Sequence, residues 1–85
     1  MQLSINEKDV LNALWECDYR DGEYINCWAL EIHRTCKVAK GKTISATVKH
    51  LKDKGLVTCE DEGELAVVIV TKSGIEAIKE LRRTA

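Results

Sequence analysis

The sequence predicts one small α+β domain in which three helices come first and a β-hairpin and a closing helix follow. Three observations lead there. A chain of 85 residues supports a single hydrophobic core but not two. Apolar residues recur at helical spacing as far as Leu51, with no proline anywhere to break the elements. Beyond Gly55, two apolar and β-branched segments flank a D-E-G-E turn, the pattern of an antiparallel hairpin.

The elements follow in order. Ser4 and Glu7 form an S-x-x-E capping box, and Val10, Ala13, Leu14 and Cys17 then repeat at helical spacing, so the first helix is expected over Ser4 to Cys17. Leu11 and Trp15 flank that stripe. They widen the core-facing side or form the edge of a second interface, and the wide core face is the simpler reading. Glu23 to Ile25 predicts a short strand, with Asn26 as the N-cap of a second helix. There Trp28, Ile32, Cys36 and Ala39 make one apolar stripe, with Arg34, Lys37 and Lys40 on the opposite side.

Gly41 is read as the left-handed C-cap of the second helix and Thr43 as the N-cap of a third, which gives a helix-turn-helix with a turn of about three residues. A second helix that stops near Thr35 is the alternative, and it leaves a loop too long for that motif. In the third helix Ile44, Thr47, Val48 and Leu51 face inward, while Ser45, Ala46, Lys49, His50 and Asp53 face outward, until Gly55 ends it. The hairpin strands are Leu56 to Glu60 and Leu65 to Thr71. Every residue from Leu65 to Val70 is apolar, so both faces of that strand need cover. A last helix over Lys72 to Arg83, edged by Ile75, Ile78 and Leu81, covers the second face, or a partner chain does.

Composition narrows the function classes. A hydrophobic content of 45% with 32% charged residues excludes disorder. The longest apolar run is far short of the roughly 20 residues that span a bilayer, and the start, M-Q-L-S-I-N-E-K-D, has no export signal, so a cytoplasmic protein is expected. Cys17, Cys27, Cys36 and Cys59 include no C-x-x-C pair and read as buried, reduced thiols. His33 and Cys36 offer at most two metal ligands, so no metal and no cofactor are expected. With no G-x-S-x-G, H-E-x-x-H or glycine-rich phosphate loop, and with His33 and His50 on different helices, the chain is not expected to be an enzyme.

The element order, together with T-I-S-A-T-V-K-H-L-K-D-K-G-L-V (Thr43 to Val57) and V-T-K-S-G (Val70 to Gly74), resembles a winged helix-turn-helix domain of the MarR type of bacterial transcriptional regulators and their relatives. L-x-x-K-G-L-V reports packing: a core leucine, a glycine cap and an apolar strand start. The resemblance implies that residues 1–85 form one winged-helix domain that binds double-stranded DNA as a homodimer, with the third helix as its recognition helix. In one respect the chain departs from these regulators, which place arginine or lysine at the hairpin tip; here the tip carries Glu60, Asp61, Glu62 and Glu64, which repel phosphates.

Net charge is −1, but the signs are segregated. Residues 33–54 carry seven basic residues, Arg34, Lys37, Lys40, Lys42, Lys49, Lys52 and Lys54, against Asp53 alone. The expectation is that a tight glycine bend gathers these cations onto one exposed ridge. Thr43, Ser45, Ala46, Lys49 and His50 are then the candidates for base edges, and Arg34, Lys37, Lys40, Lys42 and Lys52 for phosphates. Trp15 and Trp28 are assigned to the core. The rival reading is a winged helix that binds another protein through Glu60, Asp61, Glu62 and Glu64 or through the Leu11 and Trp15 edge.

Overall fold

A computed structural model describes residues 2–16, 20–21, 24–60 and 66–83. Its elements are α1 (Ile5–Trp15), β1 (Arg20–Asp21), β2 (Tyr24–Trp28), α2 (Ala29–Thr35), α3 (Lys42–Asp53), β3 (Val57–Glu60), β4 (Val67–Val70) and α4 (Lys72–Arg83). Ser4 caps α1 as its sequence requires: its hydroxyl accepts from Glu7 N–H at 3.1 Å, and the Glu7 carboxylate accepts from Ser4 N–H at 2.9 Å. The helix ends at Trp15, so Cys17, expected as its last apolar contact, lies outside the described residues. Leu11 is fully buried and Trp15 packs against the core with the Arg82 guanidinium 5.7 Å from its ring centroid. Leu11 therefore belongs to the core, and Trp15 is half-buried beside it.

The sheet runs in the order β1-β2-β4-β3, all antiparallel. Its register explains why β4 is apolar throughout: β4 is a central strand, paired through Val67, Val68 and Ile69 to β2 and through Val67 to Val70 to β3. One face, with Ile25, Cys27, Val57, Val68 and Val70, is buried against the helices. The other, with Trp28, Val67 and Ile69, is not covered by α4, contrary to expectation; Trp28 is 42% exposed rather than in the core. Asn26, read as a helix cap, sits in β2 opposite Ile69, because the ladder to β4 satisfies its backbone better than a helix start would. Helix α2 begins only at Ala29, after Trp28 in extended conformation.

Helix α2 also ends early, at Thr35, which is the longer-loop alternative, and the two helices are joined by Cys36 to Gly41 rather than by a tight glycine bend. Cys36 and Ala39 are buried as the stripe required, but they reach the core from an extended turn. Gly41 has φ 55° and ψ −126°, a conformation open to glycine alone, and it sits at the N-cap of α3 instead of capping α2; Thr43 is inside α3. At the other end of α3 a Schellman motif forms. Gly55, with φ 77°, donates to Lys52 C=O, and Leu56 N–H donates to Leu51 C=O, both at 3.0 Å. The Thr71 hydroxyl then accepts from Gly74 N–H at 3.0 Å and so caps α4.

Candidate nucleic-acid interface

Helix α3 is amphipathic in a single sense. Ile44, Thr47 and Leu51 are buried and Val48 is half-buried, which at 100° per residue turns Lys42, Thr43, Ser45, Ala46, Lys49, His50, Lys52 and Asp53 to solvent; all eight are exposed. Lys42 and Lys49 are seven residues apart and fall on the same line of the helix surface, opposite the core. No ion pair holds Lys42, Lys49 or Lys52 to a described residue. The N-terminus of α3 has no side-chain cap and no acidic residue in its first turn. It carries Lys42 instead, a cation at the positive end of the helix dipole. That placement costs a few tenths of a kcal/mol to about 1 kcal/mol in the free protein and is offset when an anion approaches.

The turn before α3 exposes Lys37, Val38 and Lys40 and is held from below by α1. The Asp9 carboxylate accepts three consecutive backbone N–H groups: Lys37 at 3.0 Å on Oδ1, and Val38 and Ala39 at 2.8 Å each on Oδ2. The Cys36 thiol donates to the same carboxylate. Burial alone raises the pKa of Asp9, but the three backbone donors outweigh it and hold the carboxyl below its ordinary range. Cys36 responds in the opposite sense. Burial, then the charge of Asp9 and the hydrogen bond to it, push its thiol up to about 11.

The two remaining cations of the basic block, Arg34 and Lys54, are paired with carboxylates. Arg34, exposed near the end of α2, forms an i,i+3 pair with Glu31 at 3.1 Å, and both partners are open to water, so the pair is weak and the guanidinium remains available. Lys54 is removed from the surface set: its ammonium lies 2.6 Å from Oε2 of Glu7, whose side chain is only 7% exposed, and it also donates to the Gln2 carbonyl at 3.4 Å. Burial raises the pKa of Glu7, and Lys54 together with the Ser4 cap brings it below the usual value. Glu60 is exposed at the end of β3, whereas Asp61, Glu62 and Glu64 lie outside the described residues.

Sequence reasoning thus found the outward set of α3 and the exposure of Arg34, Lys37 and Lys40, and it missed Asp9 and the structural role of Lys54. Nothing local distinguishes Asp9 from the other acids of the first helix, because its donors stand 28 to 30 residues away. Among the described residues, no group of three or more metal-ligating side chains converges. Among the described residues, no helix is long and apolar enough to cross a membrane.

No protein-family model and no curated protein matches the chain. Among solved structures, BpsR of Bordetella bronchiseptica, a protein whose DNA binding is regulated by 6-hydroxynicotinic acid, superposes with a TM-score of 0.71 at 19% identity. The match covers 93% of this chain and 53% of that one, so the chain spans about half the length of its neighbour. Likeness at this level shows architecture, and with the order helix, two strands, helix, helix, hairpin, helix it makes the fold a winged helix.

Proposed function

We propose that the chain is a winged-helix transcriptional regulator of MarR-like character that binds duplex DNA through α3. The observation that carries the reading is the outward face of α3: three lysines, Lys42 at the uncapped helix start, Lys49 two turns on and Lys52 in the last turn, without ion-pair partners among the described residues. The Cys36 to Gly41 loop is longer than the turn of a helix-turn-helix, so the reading rests on the winged-helix fold, in which the first turns of α3, as recognition helix, enter the major groove. Thr43, Ser45, Ala46, Lys49 and His50 are then the residues that reach base edges. Lys37 and Lys40 in the turn, Lys42 and Lys52 on α3, and Arg34 on α2 take phosphates and set the register. The DNA binding of BpsR, the structural neighbour, supports the same use of the fold.

A homodimer belongs to this proposal. Helix α3 has 12 residues, about 18 Å of helix, which covers one half-site, and paired half-sites about 34 Å apart are the usual target of such motifs. Titration of a fluorescent mixed-sequence duplex, read by anisotropy across a salt series, tests the reading. Arg34, Lys37, Lys40, Lys42 and Lys52 predict a log-log slope of about −4 per protomer, at ~0.9 per phosphate and with Arg34 partly paired to Glu31. Absence of binding at about 50 mM salt refutes it.

A further inference from the structure

We propose that Asp9 is a positioning residue for the DNA interface: its carboxylate sets the shape of the turn that presents Lys37 and Lys40 and leads into α3. The proposal rests on the DNA-binding reading and deepens it by naming what holds that surface in shape before DNA arrives.

The turn from Cys36 to Gly41 is neither helix nor strand. On its N-terminal side the last helical bond is Cys36 N–H to Ile32 C=O, and on its C-terminal side the chain enters α3 through a turn bond from Thr43 N–H to Lys40 C=O. Between them, the N–H groups of Lys37, Val38 and Ala39 all donate to Asp9, at 2.8 to 3.0 Å. Such bonds to an ionised carboxylate are roughly twice as strong as neutral ones. Successive N–H groups that converge on one anion form a nest, the same device that elsewhere grips phosphate. Here the nest is filled from within the protein. Phosphates at this turn are therefore left to the side chains of Lys37 and Lys40, both exposed, and not to the main chain.

The same clamp governs α3. Gly41 stands two residues beyond the last clamped amide, that of Ala39, and carries the positive φ that turns the chain into Lys42 and Thr43. A turn released from Asp9 moves the start of the recognition helix together with two phosphate-binding lysines. Burial of Cys36 and Ala39 anchors the turn to the core but does not fix the direction of the peptide planes between them. The carboxylate does that.

The test is Asp9→Asn, which keeps the size of the side chain but replaces one acceptor oxygen with a donor facing N–H groups. At a temperature where circular dichroism shows the variant folded, duplex affinity is expected to fall about tenfold in ~0.1 M salt. Amide exchange at residues 37–39 is expected to speed up while the Leu51 amide stays protected. Asp9→Glu keeps the charge one methylene further out, so an intermediate loss is expected, and it serves if Asp9→Asn does not fold. Ser4→Ala, destabilised through the α1 cap and remote from the turn, is expected to bind as the parent protein does. Equal binding by folded Asp9→Asn and Asp9→Glu overturns the positioning role and leaves DNA binding intact. A loss as large in Ser4→Ala also overturns it, as an effect of stability alone. If the parent protein binds no duplex, both the DNA reading and this role fall together.

Discussion

Two lysines five residues apart, equal in the sequence, are assigned opposite jobs by the structure, and exchanging them gives a sharp test. Lys54 is paired with a buried Glu7 carboxylate; Lys49 projects from α3 with no ion-pair partner among the described residues. Breaking a fully buried ion pair from one side costs about 3 to 5 kcal/mol. The Lys54 side chain is 35% exposed, so water screens part of that loss, and Glu7 retains its bond from Ser4 N–H. Lys54→Gln is therefore expected to cost about 1 to 2 kcal/mol, which in a domain of this size lowers Tm by about 5 to 15 °C. DNA affinity of the folded fraction should not change. Lys49→Glu is expected to leave Tm within about 3 °C, as exposed substitutions do, while weakening duplex binding about tenfold or more. Thermal melts by circular dichroism and anisotropy titrations on the two variants read both effects. If Lys54→Gln impairs binding without lowering Tm, or Lys49→Glu binds like the parent, the division of labour between these lysines is wrong.

Further expectations concern the scaffold. A Cβ at Gly74 would collide with the Leu56 carbonyl oxygen, which accepts from Thr71 N–H, and would stand 2.7 Å from Val70 Cγ1. Gly74→Ala should therefore cost about 2 to 3 kcal/mol and lower Tm by about 10 °C or more, and an unchanged melt contradicts the packing of α4 on the hairpin. Ala at Gly55 meets no neighbour but must adopt φ 77°, so the loss there should be smaller, about 1 kcal/mol. Asp9 and Glu7 both have folded pKa values below their unfolded ones, so the stability they contribute is fully present above about pH 5 and is lost as pH falls through the lowered values. Urea melts between pH 7 and pH 3 should be flat at first and then fall, and in Asp9→Asn the fall should be shallower. An equally steep fall in that variant rules out the clamp as a source of stability.

What the sequence disclosed depended on how far apart the partners lie. The Ser4 and Glu7 box is a local device and forms as written. Helix α3 was legible because its charged and apolar residues occupy opposite faces, and the Schellman glycine marks its end. At Cys36 and Ala39 burial was read correctly and conformation wrongly: the helical stripe continues through them, but Asp9 offers the backbone a stronger set of bonds than another turn of helix would. Trp28 fits the stripe of Ile32 by spacing, yet cross-strand pairing with Val67 places it on the open face of the sheet. In the same way Lys54 counts toward a basic block until the fold brings Glu7 beneath it. Misread positions are those where a long-range hydrogen bond or strand register overrides a local pattern.

A titration of the 15N-labelled protein with a short duplex, followed residue by residue through its amide resonances, tests the central claim most directly. The expected perturbations concentrate on Thr43, Ser45, Ala46, Lys49 and His50, with a second group at Lys37 and Lys40 in the turn. Perturbations that gather instead around Trp28, Val67 and Ile69 on the open face of the sheet, or a spectrum indifferent to DNA, contradict the assignment of α3 as the reading helix.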